Sequence, residues 1–397
     1  MHSRGVTRGG AAAGAIVIGG DYQGLGIIRS LGRRGIPTCV IDDEQSIGRF
    51  SRYATYSVRA RNLRHGTAAV DATLAAVERF GLRGWVLYPT RDEHVAAFGL
   101  ARERLRDFVR VPTPSWDVVR WLYDKRNTYE LAQRIGVPTP RWWLVDGVKG
   151  LRDVGGEAPW AVKPAIKDHF FYATKAKAWR ANSREELREL VARASDLVGR
   201  QEVIVQELIP GNGESQQAFC AFFRDAEAIA SMVVERRRQH PPEFGRASTY
   251  VRTIESPQLE EWSCRLLREI DYYGLVELEF KVDPRDGQPK LLDANARTWG
   301  YHTLGASAGV DFPYLLYCDQ VGSPVTPGRA LPERTWLRLA TDLPVGVLAV
   351  LRRQIRLTDY LRTLWNADTE AVFARDDWLP GMAEVALIPY LALRRGF

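Results

Sequence analysis

The chain has 397 residues, of which 45% are apolar and 26% are charged, and its formal net charge is +7. These values are typical of a soluble globular protein with about two to four domains and sizeable cores. No stretch reaches the roughly 18 consecutive apolar residues that span a bilayer, so we expect no membrane span. The arginines are scattered and form no dense basic tract, so phosphate-bearing small ligands explain the positive charge as well as nucleic acid does.

The cysteine pattern and the two ends of the chain bear on its location. The chain has four widely spaced cysteines without a C-x-x-C pair: Cys39, Cys220, Cys264 and Cys318. This pattern favours a reduced cytoplasmic protein over a disulfide or zinc framework. The apolar stretch 11–18 is short and continues into a strand, which argues against a signal peptide. The tail 382–393, followed by Arg394 and Arg395, is apolar enough to lie on a membrane surface, but a helix docked on the protein's own core is favoured.

The first part of the chain reads as a small parallel α/β domain. We predict a disordered tail over 1–14, because the chain starts polar and glycine-rich. Residues 15–115 alternate between short apolar runs and helical patterns, which predicts a parallel sheet. The predicted strands are 15–19, 38–41 and 85–88, and the predicted helices are 25–34, 68–80 and 93–105. The glycines after the first strand do not match G-x-G-x-x-G, so a dinucleotide site is only weakly indicated.

The middle of the chain mixes helices with short strands. Asp124 is the predicted N-cap of a helix over 125–135 that Gly136 ends, and Ser183 with Glu186 forms a capping box for a helix over 183–197. Strand 160–163 stops at Pro164, and a polar, aromatic loop is expected over 165–176. The other predicted strands are 177–180, 203–206, 217–223, 228–235 and 249–253, and a further helix is predicted over 257–270.

A hairpin near residue 285 is the strongest chemical signal. Side chains alternate along a strand, so Glu277 and Glu279 share one face, as do Asp293, Asn295 and Arg297. A turn centred near residue 286 places Glu279 opposite Asp293 and Glu277 opposite Asn295. Facing carboxylates repel unless a cation lies between them, and carboxylate and amide oxygens are the ligands that Mg²⁺ prefers alongside nucleotide phosphates. The hairpin therefore predicts a Mg-ATP site; the alternative is a solvated hairpin with mixed charges.

Two lysines are candidate phosphate ligands. Lys163 ends an apolar strand, where an uncompensated ammonium group is costly and a bound phosphate would compensate it. Lys125 opens a helix, where the macrodipole disfavours a cation and a bound anion could offset that effect. Taken alone, Lys163 is equally consistent with a solvated strand end, and for Lys125 a surface position is favoured.

Two further segments could bind other parts of a nucleotide or substrate. Strand 203–206 continues into Glu207 and Leu208, and its backbone could read an adenine edge, while Glu214 beyond the glycine turn could accept from ribose hydroxyls. An edge strand with an exposed turn is the alternative. The arginine-rich loop around 236–246 could hold an anionic substrate, or could be a solvated basic turn.

The order of these elements is more specific than any one of them. The order is a lysine on a helix, Lys-Pro on a strand, Gln-Glu-Leu-Ile-Pro-Gly-x-x-Glu, then Glu-Phe and Asp-x-Asn-x-Arg. In this order the chain resembles ATP-grasp enzymes, and specifically their carboxylate–amine ligase branch, over roughly 15–325. It looks closest to the predicted ATP-dependent carboligases that carry Gly-Arg-Ala-Ser-Thr, here residues 245–249. Asp-Ala-Asn-Ala-Arg at 293–297 replaces the usual Glu-x-Asn-Pro-Arg and keeps oxygen ligands at both key positions.

The resemblance implies a role for each matching residue. Lys125 and Lys163 would hold the α- and β-phosphates, and Arg297 would steady the transferred phosphoryl group, so that Arg297 and Lys163 are the expected catalytic residues. The expected adenine and ribose contacts are Gln206, Glu207, Leu208 and Glu214. The expected ligands of Mg²⁺ or Mn²⁺ are Glu279, Asp293 and Asn295. The candidate substrate residues are Arg237, Arg246 and Ser248. The loop 165–176 lacks the glycines common in phosphate-covering loops, and Lys175 or Lys177 could replace their contacts.

The resemblance also implies an architecture and a reaction. The expected fold is α/β and α+β: a Rossmann-like parallel α/β domain over 15–115, ATP-grasp subdomains over 116–205 and 206–326, and a mostly helical C-terminal extension over 327–397. A carboxylate would attack the γ-phosphate of Mg-ATP, and an amine would then displace phosphate from the acyl phosphate. The expected partners are a small carboxylate and a small amine, with no nucleic acid and with a possible homodimer. The alternatives are a non-catalytic, regulatory ATP-binding protein and a nucleic-acid-binding protein.

Overall fold

The computed structural model describes residues 13–211, 213–241, 243–245 and 247–395, without the side chains of 168, 169, 214 and 391–395. The predicted disordered tail therefore lies, except for residues 13 and 14, outside the described residues. Among the described residues, no helix combines the length and the apolar composition that crossing a membrane requires.

The N-terminal unit is built on a parallel sheet with the strand order β3-β2-β1-β4. Its strands are β1 (Ala15–Ile18), β2 (Thr38–Asp42), β3 (Tyr56–Arg59) and β4 (Val86–Pro89). Its helices are α1 (Tyr22–Gly32), α2 (Ala68–Phe80), α3 (Asp92–Leu100) and α4 (Arg102–Leu105). All residues of β1, β2 and β4 are buried, as expected for parallel strands covered on both faces. The predicted parallel sheet is confirmed, whereas the predicted helix 93–105 is divided at Ala101.

A smaller, antiparallel sheet follows, with the order β5-β8-β6-β7. Its strands are β5 (Trp142–Val145), β6 (Trp160–Pro164), β7 (Trp179–Ala181) and β8 (Val203–Glu207). The helices of this part are α5 (Trp116–Tyr123), α6 (Lys125–Arg134), α7 (Lys167–Thr174) and α8 (Arg184–Val198). The predicted boundary between 205 and 206 falls inside β8. Asp124 accepts from the backbone N–H of Arg126, and Ser183 accepts from that of Glu186, so both predicted N-caps are confirmed.

The expected loop over 165–176 is wrong, because most of it forms α7. Phe170 is fully buried and its ring lies 4.6 Å from that of Trp179. Burying this aromatic ring gives the segment an apolar side on which a helix can pack, despite its weak helical pattern. The helix ends at Lys175, which adopts a left-handed backbone conformation with φ of 58°.

The largest sheet has the order β13-β12-β9-β10-β11-β15-β16, with β14 paired to β10. Its strands are β9 (Gln216–Arg224), β10 (Glu227–His240), β11 (Ala247–Ile254), β12 (Gly274–Val282), β13 (Pro289–Asn295), β14 (Gly328–Arg329), β15 (Thr335–Leu337) and β16 (Thr369–Glu370). The helices of this part are α9 (Pro257–Glu269), α10 (Thr303–Ser307), α11 (Phe312–Val321), α12 (Leu339–Leu351), α13 (Leu357–Trp365) and α14 (Leu379–Arg395). Short 3-10 helices cover Ile47–Phe50, Gly147–Asp153 and Gly213–Ser215.

The C-terminal residues are helical, as predicted, but they are integrated into the rest of the fold. They add β15 and β16 to one edge of the largest sheet. They also contact the N-terminal unit, because buried Asp377 accepts from Arg29 Nε at 2.9 Å and from Ser51 Oγ at 2.6 Å. The segment 327–397 is therefore part of the core architecture and not a separate appendage.

Candidate active site

The hairpin of β12 and β13 has the predicted register. Glu277 pairs with Asn295 and Glu279 pairs with Asp293, and an irregularity follows between Glu279 and Phe280. The Asn295 amide nitrogen donates to Glu277 at 2.9 Å and to Glu279 at 3.2 Å. Two carboxylates and one amide therefore converge on the same face of the sheet, as the alternation of side chains predicts.

Cations surround these carboxylates. Lys125 Nζ lies 2.7 Å from Asp293 Oδ1, and Arg236 Nη2 lies 3.4 Å from Glu279 Oε2. Burial alone would raise the pKa of Asp293, but the ammonium groups of Lys125 and Lys167 outweigh it and lower that pKa to about 2. Asp293 is therefore ionised at neutral pH although it is buried. The ionised carboxylate can pair with a metal ion or with a lysine.

Glu277 has the opposite electrostatic behaviour. Burial, and then the charge of nearby Glu279, raise the pKa of Glu277 to about 7. The Tyr301 hydroxyl donates to its carboxylate and partly opposes this rise. Asp293 and Glu277, on the two strands of one hairpin, thus differ in pKa because lysines dominate at Asp293, whereas burial and the charge of Glu279 dominate at Glu277.

Lys163 is buried beside the same cluster. Its ammonium group donates to the Tyr129 hydroxyl, whose single proton has two acceptors within reach, the Leu292 carbonyl at 2.7 Å and Gln206 Oε1 at 3.1 Å. Burial, and then the charge of Lys125, lower the pKa of Lys163 to about 7. A lysine that is only half charged near neutral pH would gain its full charge from a bound anion.

A cavity of about 490 Å³ brings most of the predicted nucleotide residues together between the small and the large sheet. Those that line it are Lys125, Lys163, Gln206, Leu208, Glu279 and Asp293. Lys177, Arg236 and Lys281 also line it, and Lys281 Nζ donates to the carbonyls of Ile209 and Gly211 at 2.9 and 2.7 Å. The turn after β8 is thereby tied to β12, which fixes one wall of the cavity.

A second cavity, of about 300 Å³, lies between the N-terminal unit and the large sheet. Its walls include Asp92 and Arg91 from the N-terminal unit and Glu277, Asn295 and Arg297 from the hairpin region. Ser248, one of the predicted substrate residues, also lines it. Both cavities are lined by the same three side chains: Lys177, Arg236 and Glu279. Ligands in the two cavities would therefore meet at these groups.

Arg297 is positioned by a residue that sequence reasoning missed. Its Nε donates to Asp92 Oδ1 at 2.6 Å, and its Nη2 donates to Asn295 Oδ1 at 3.0 Å. Lys167 Nζ lies 2.6 Å from Asp92 as well, and these two cations lower the pKa of Asp92 although its burial opposes them. The available signal was that Asp92 follows β4 directly, because ligand-binding residues in parallel sheets cluster at the carboxyl ends of strands.

Four predicted residues either line neither cavity or cannot be placed in the described structure. The Glu207 side chain faces away and pairs with Arg141 at 3.1 Å and with Arg285, so only its backbone remains available to an adenine. The side chain of Glu214 and all of Arg246 lie outside the described residues.

Arg237 is the fourth, and its neighbour Arg236 lines the cavities instead. The Arg237 side chain is 47% exposed and lies 3.3 Å from Glu235. The pairing of β10 with β11 shifts between Arg236 and Arg238. Such a bulge breaks the two-residue alternation, and the sequence alone gives no sign of where it falls.

The hairpin oxygens suit a hard divalent cation. No three His, Cys, Asp or Glu side chains of the described residues converge as a ready-made metal site. The converging set is instead two acids, Glu279 and Asp293, and one amide, Asn295. A metal ion held there would take its remaining ligands from phosphate oxygens. This is an all-oxygen set of the kind Mg²⁺ takes when it is bound together with a nucleotide.

The chain is similar to known ligases in sequence and in fold. No protein-family model matches the chain. The D-aspartate ligase of Enterococcus faecium (strain Aus0004) is 22% identical over 296 residues, which cover 71% of this chain and 70% of that protein. The crystal structure of the L-amino acid ligase from Bacillus licheniformis has a TM-score of 0.60 at 16% identity, covering 79% of this chain and 75% of that one.

A second similar structure contains nucleotide. It is the biotin carboxylase domain dimer of Hydrogenobacter thermophilus 2-oxoglutarate carboxylase, in complex with MgADP, ADP and bicarbonate. Its TM-score is 0.62 at 16% identity, and the match covers 81% of this chain and 73% of that one. The fold of the chain is therefore that of these ligase and carboxylase structures. The resemblance to ATP-grasp carboxylate–amine ligases, expected from the order of the motifs, is confirmed.

Proposed function

We propose that the protein is an ATP-dependent carboxylate–amine ligase that forms an amide or peptide bond and releases ADP and phosphate. The observation that carries this proposal is the pair of cavities that share Lys177, Arg236 and Glu279. A nucleotide in the cavity of about 490 Å³ and a carboxylate in the cavity of about 300 Å³ would meet at two cations and one metal-binding acid. The similarity to two amino acid ligases supports the same reaction class.

The predicted nucleotide residues have consistent places in this proposal. Lys125 and Lys163 hold phosphates, and the backbone of Glu207 and Leu208 contacts adenine. Glu279, Asp293 and Asn295 hold Mg²⁺, which when bound neutralises phosphate charge and polarises the phosphoryl group. Mn²⁺ would fit the same oxygen ligands. Glu214 stays the predicted ribose ligand.

The reaction needs no nucleophilic side chain. A substrate carboxylate oxygen attacks the γ-phosphorus, the bond from that phosphorus to the ADP oxygen breaks, and an acyl phosphate forms. The amine then attacks the acyl carbon, phosphate leaves with the bonding electrons, and the nitrogen loses a proton to give the amide. Arg297, fixed by Asp92, and Arg236 face the position where negative charge is transferred, and their role is positioning and charge neutralisation.

The N-terminal unit contributes to the carboxylate side of the site. Arg91 and Asp92 reach the second cavity from the carboxyl end of β4, and Ser248 reaches it from β11. This location supports a substrate-binding role for the parallel sheet and not a dinucleotide site. A homodimer, an amino acid or small peptide as substrate, and a cytoplasmic location stay predictions.

The decisive experiment pairs amino acids and short peptides, supplies ATP and Mg²⁺, and measures ADP formation together with the mass of the products. A pair-dependent rise in ADP with a product lighter than the sum of its substrates by one water is expected. Asp293→Ala should abolish this turnover while the fold is retained. Asp286→Ala is the matched control, because Asp286 lies in the turn of the same hairpin and its side chain is 47% exposed. Full Mg-dependent turnover in a folded Asp293→Ala protein would rule out the metal assignment.

A further inference from the structure

The helical hairpin formed by α12 and α13, residues 339–365, has an exposed apolar side. On α12 the exposed apolar side chains are Leu343, Val347, Leu348 and Leu351, and on α13 they are Leu357, Leu361 and Trp365. Spacings of three and four residues place each set on one face of its helix. Leu351 is 75% exposed and Trp365 is 90% exposed, so the largest apolar groups of the hairpin lie in water. Scattered exposed apolar residues are ordinary, but two such stripes in one hairpin indicate a binding surface.

The opposite side of the hairpin is firmly attached to the protein. Arg238 donates two hydrogen bonds, each of 2.8 Å, to the carboxylate of buried Asp342 in a bidentate pair. Within the hairpin, the ring of Tyr360 on α13 packs on Gly346 of α12, where a larger residue would collide with it, so the two helices are held together. The Arg238–Asp342 pair therefore fixes the orientation of the hairpin on the protein. Its apolar stripes lie on the outer side.

The charge of the surface favours an anionic partner. Residues 343–358 contain three arginines and no acidic residue, and Arg352, Arg353 and Arg356 are all exposed. A surface that combines exposed leucines, a tryptophan and adjacent arginines suits the boundary between the acyl chains and the headgroups of anionic lipids. Neither helix can span a bilayer, because α12 has 13 residues and α13 has 9.

A second copy of the chain fits the same surface less well. A two-fold contact brings the same patch of both subunits together. Such a contact centred on the segment between the two helices would place Arg352, Arg353 and Arg356 near their own copies. The nearest acidic residue along the chain, Asp359, already lies 3.2 Å from Arg362. The positive charge would then oppose the contact, whereas an anionic lipid surface would neutralise it.

We propose that the α12–α13 hairpin docks the protein peripherally on anionic phospholipid membranes, with Leu351, Leu361 and Trp365 entering the headgroup boundary and the three arginines contacting lipid phosphates. The docking does not depend on the ligase reaction.

The test is co-sedimentation of the full chain, without nucleotide, with vesicles made of equal parts phosphatidylglycerol and phosphatidylcholine, and with vesicles of phosphatidylcholine alone. Binding is expected only to the anionic vesicles, and it should weaken as salt is raised. Leu351→Ser combined with Trp365→Ser should reduce the bound fraction about tenfold or more, and so should Arg352→Gln combined with Arg353→Gln. Leu100→Ser is the matched apolar control, because Leu100 is 66% exposed at the end of α3 in the N-terminal unit. Arg104→Gln with Arg106→Gln is the matched charge control on the exposed surface near α4.

Circular dichroism melting of every variant establishes that the fold is retained. The proposal is overturned if the protein stays in the supernatant with both vesicle types, or if the hairpin and control variants bind equally. It is also overturned if sedimentation velocity shows a dimer that the Leu351→Ser/Trp365→Ser variant abolishes while vesicle binding is absent, because the surface would then pair two copies. Ligase activity is measured separately in solution. If the ligase assignment fails, the vesicle-binding results still decide whether the hairpin docks on membranes.

Discussion

Replacing Lys163 by methionine should stabilise the protein and weaken nucleotide binding. Burial, and then the charge of Lys125, lower the pKa of Lys163 from 10.5 to about 7. Because the folded-state pKa lies below the unfolded value, the unfolded chain binds more protons between about pH 7 and 10.5, and wild-type stability rises with pH across that window. Keeping this amine buried thus costs on the order of 4 kcal/mol at pH 7 and about 2 kcal/mol at pH 9.

Methionine has a similar length and no charge to desolvate, so this cost disappears in the variant. The Tyr129 hydroxyl keeps its acceptors, Gln206 Oε1 at 3.1 Å and the Leu292 carbonyl at 2.7 Å, and no donor is left unpaired. We therefore expect the free energy of unfolding of Lys163→Met to exceed that of the wild type by a few kcal/mol at pH 7 and by less at pH 9. Loss of a charge-assisted phosphate contact should weaken ATP binding at least about tenfold.

Urea denaturation at the two pH values measures the first effect, and titration calorimetry with a non-hydrolysable ATP analogue measures the second. Lys149→Met is the control, because Lys149 is exposed in the 3-10 helix Gly147–Asp153. A Lys163→Met protein that is less stable than the wild type at pH 7 would refute the desolvation argument. Equal nucleotide affinity in the two proteins would refute the phosphate role.

Three further substitutions separate residues that the structure places differently. Asp92→Asn should lower kcat about tenfold or more with little change in ATP affinity, because it loosens Arg297 and leaves the nucleotide cavity intact; an equal loss of ATP affinity in calorimetry would contradict this role. Arg236→Gln should remove most ligase activity while Arg237→Gln retains it, since only the first lines the cavities; equal activity of the two variants in the ADP-release assay would contradict the placement. Glu207→Gln should leave nucleotide affinity unchanged and cost at most about 1 kcal/mol of stability, because its side chain pairs with half-exposed arginines; a large loss in the same calorimetric titration would show that the carboxylate contacts the nucleotide.

The β12–β13 hairpin could be predicted from the sequence because the interactions that form it join residues close in sequence. The two-residue alternation and one turn fix the register, and the structure pairs Glu279 with Asp293 as expected. The helix over 125–134 and its Asp124 cap were readable for the same reason. In each case the decisive interaction joins residues close in sequence or related by a simple period.

The parts that could not be predicted depend on contacts between distant segments. Helix α7 exists because Phe170 finds a buried place beside Trp179, and its own helical pattern is weak. Asp92 reaches Arg297 across 205 residues of sequence, through the packing of the N-terminal unit on the large sheet. The choice between Arg236 and Arg237 depends on a bulge in β10 that only the sheet pairing reveals.

The charges around the hairpin explain how the proposed site can be stable both without and with nucleotide. In the structure, Lys125 pairs with Asp293 and Arg236 lies near Glu279, so no charge of these pairs is buried alone. Binding of Mg-ATP would exchange partners: the acids would pair with the metal, and the freed cations would pair with phosphates. The exchange leaves each buried group with an opposite charge, so neither state bears the full cost of desolvating an isolated ion. Lys163 is the exception, because among the described residues its ammonium group pairs with no carboxylate and donates to the Tyr129 hydroxyl, while burial and the charge of Lys125 lower its pKa. For this reason, replacing Lys163 should increase the free energy of unfolding and weaken nucleotide binding.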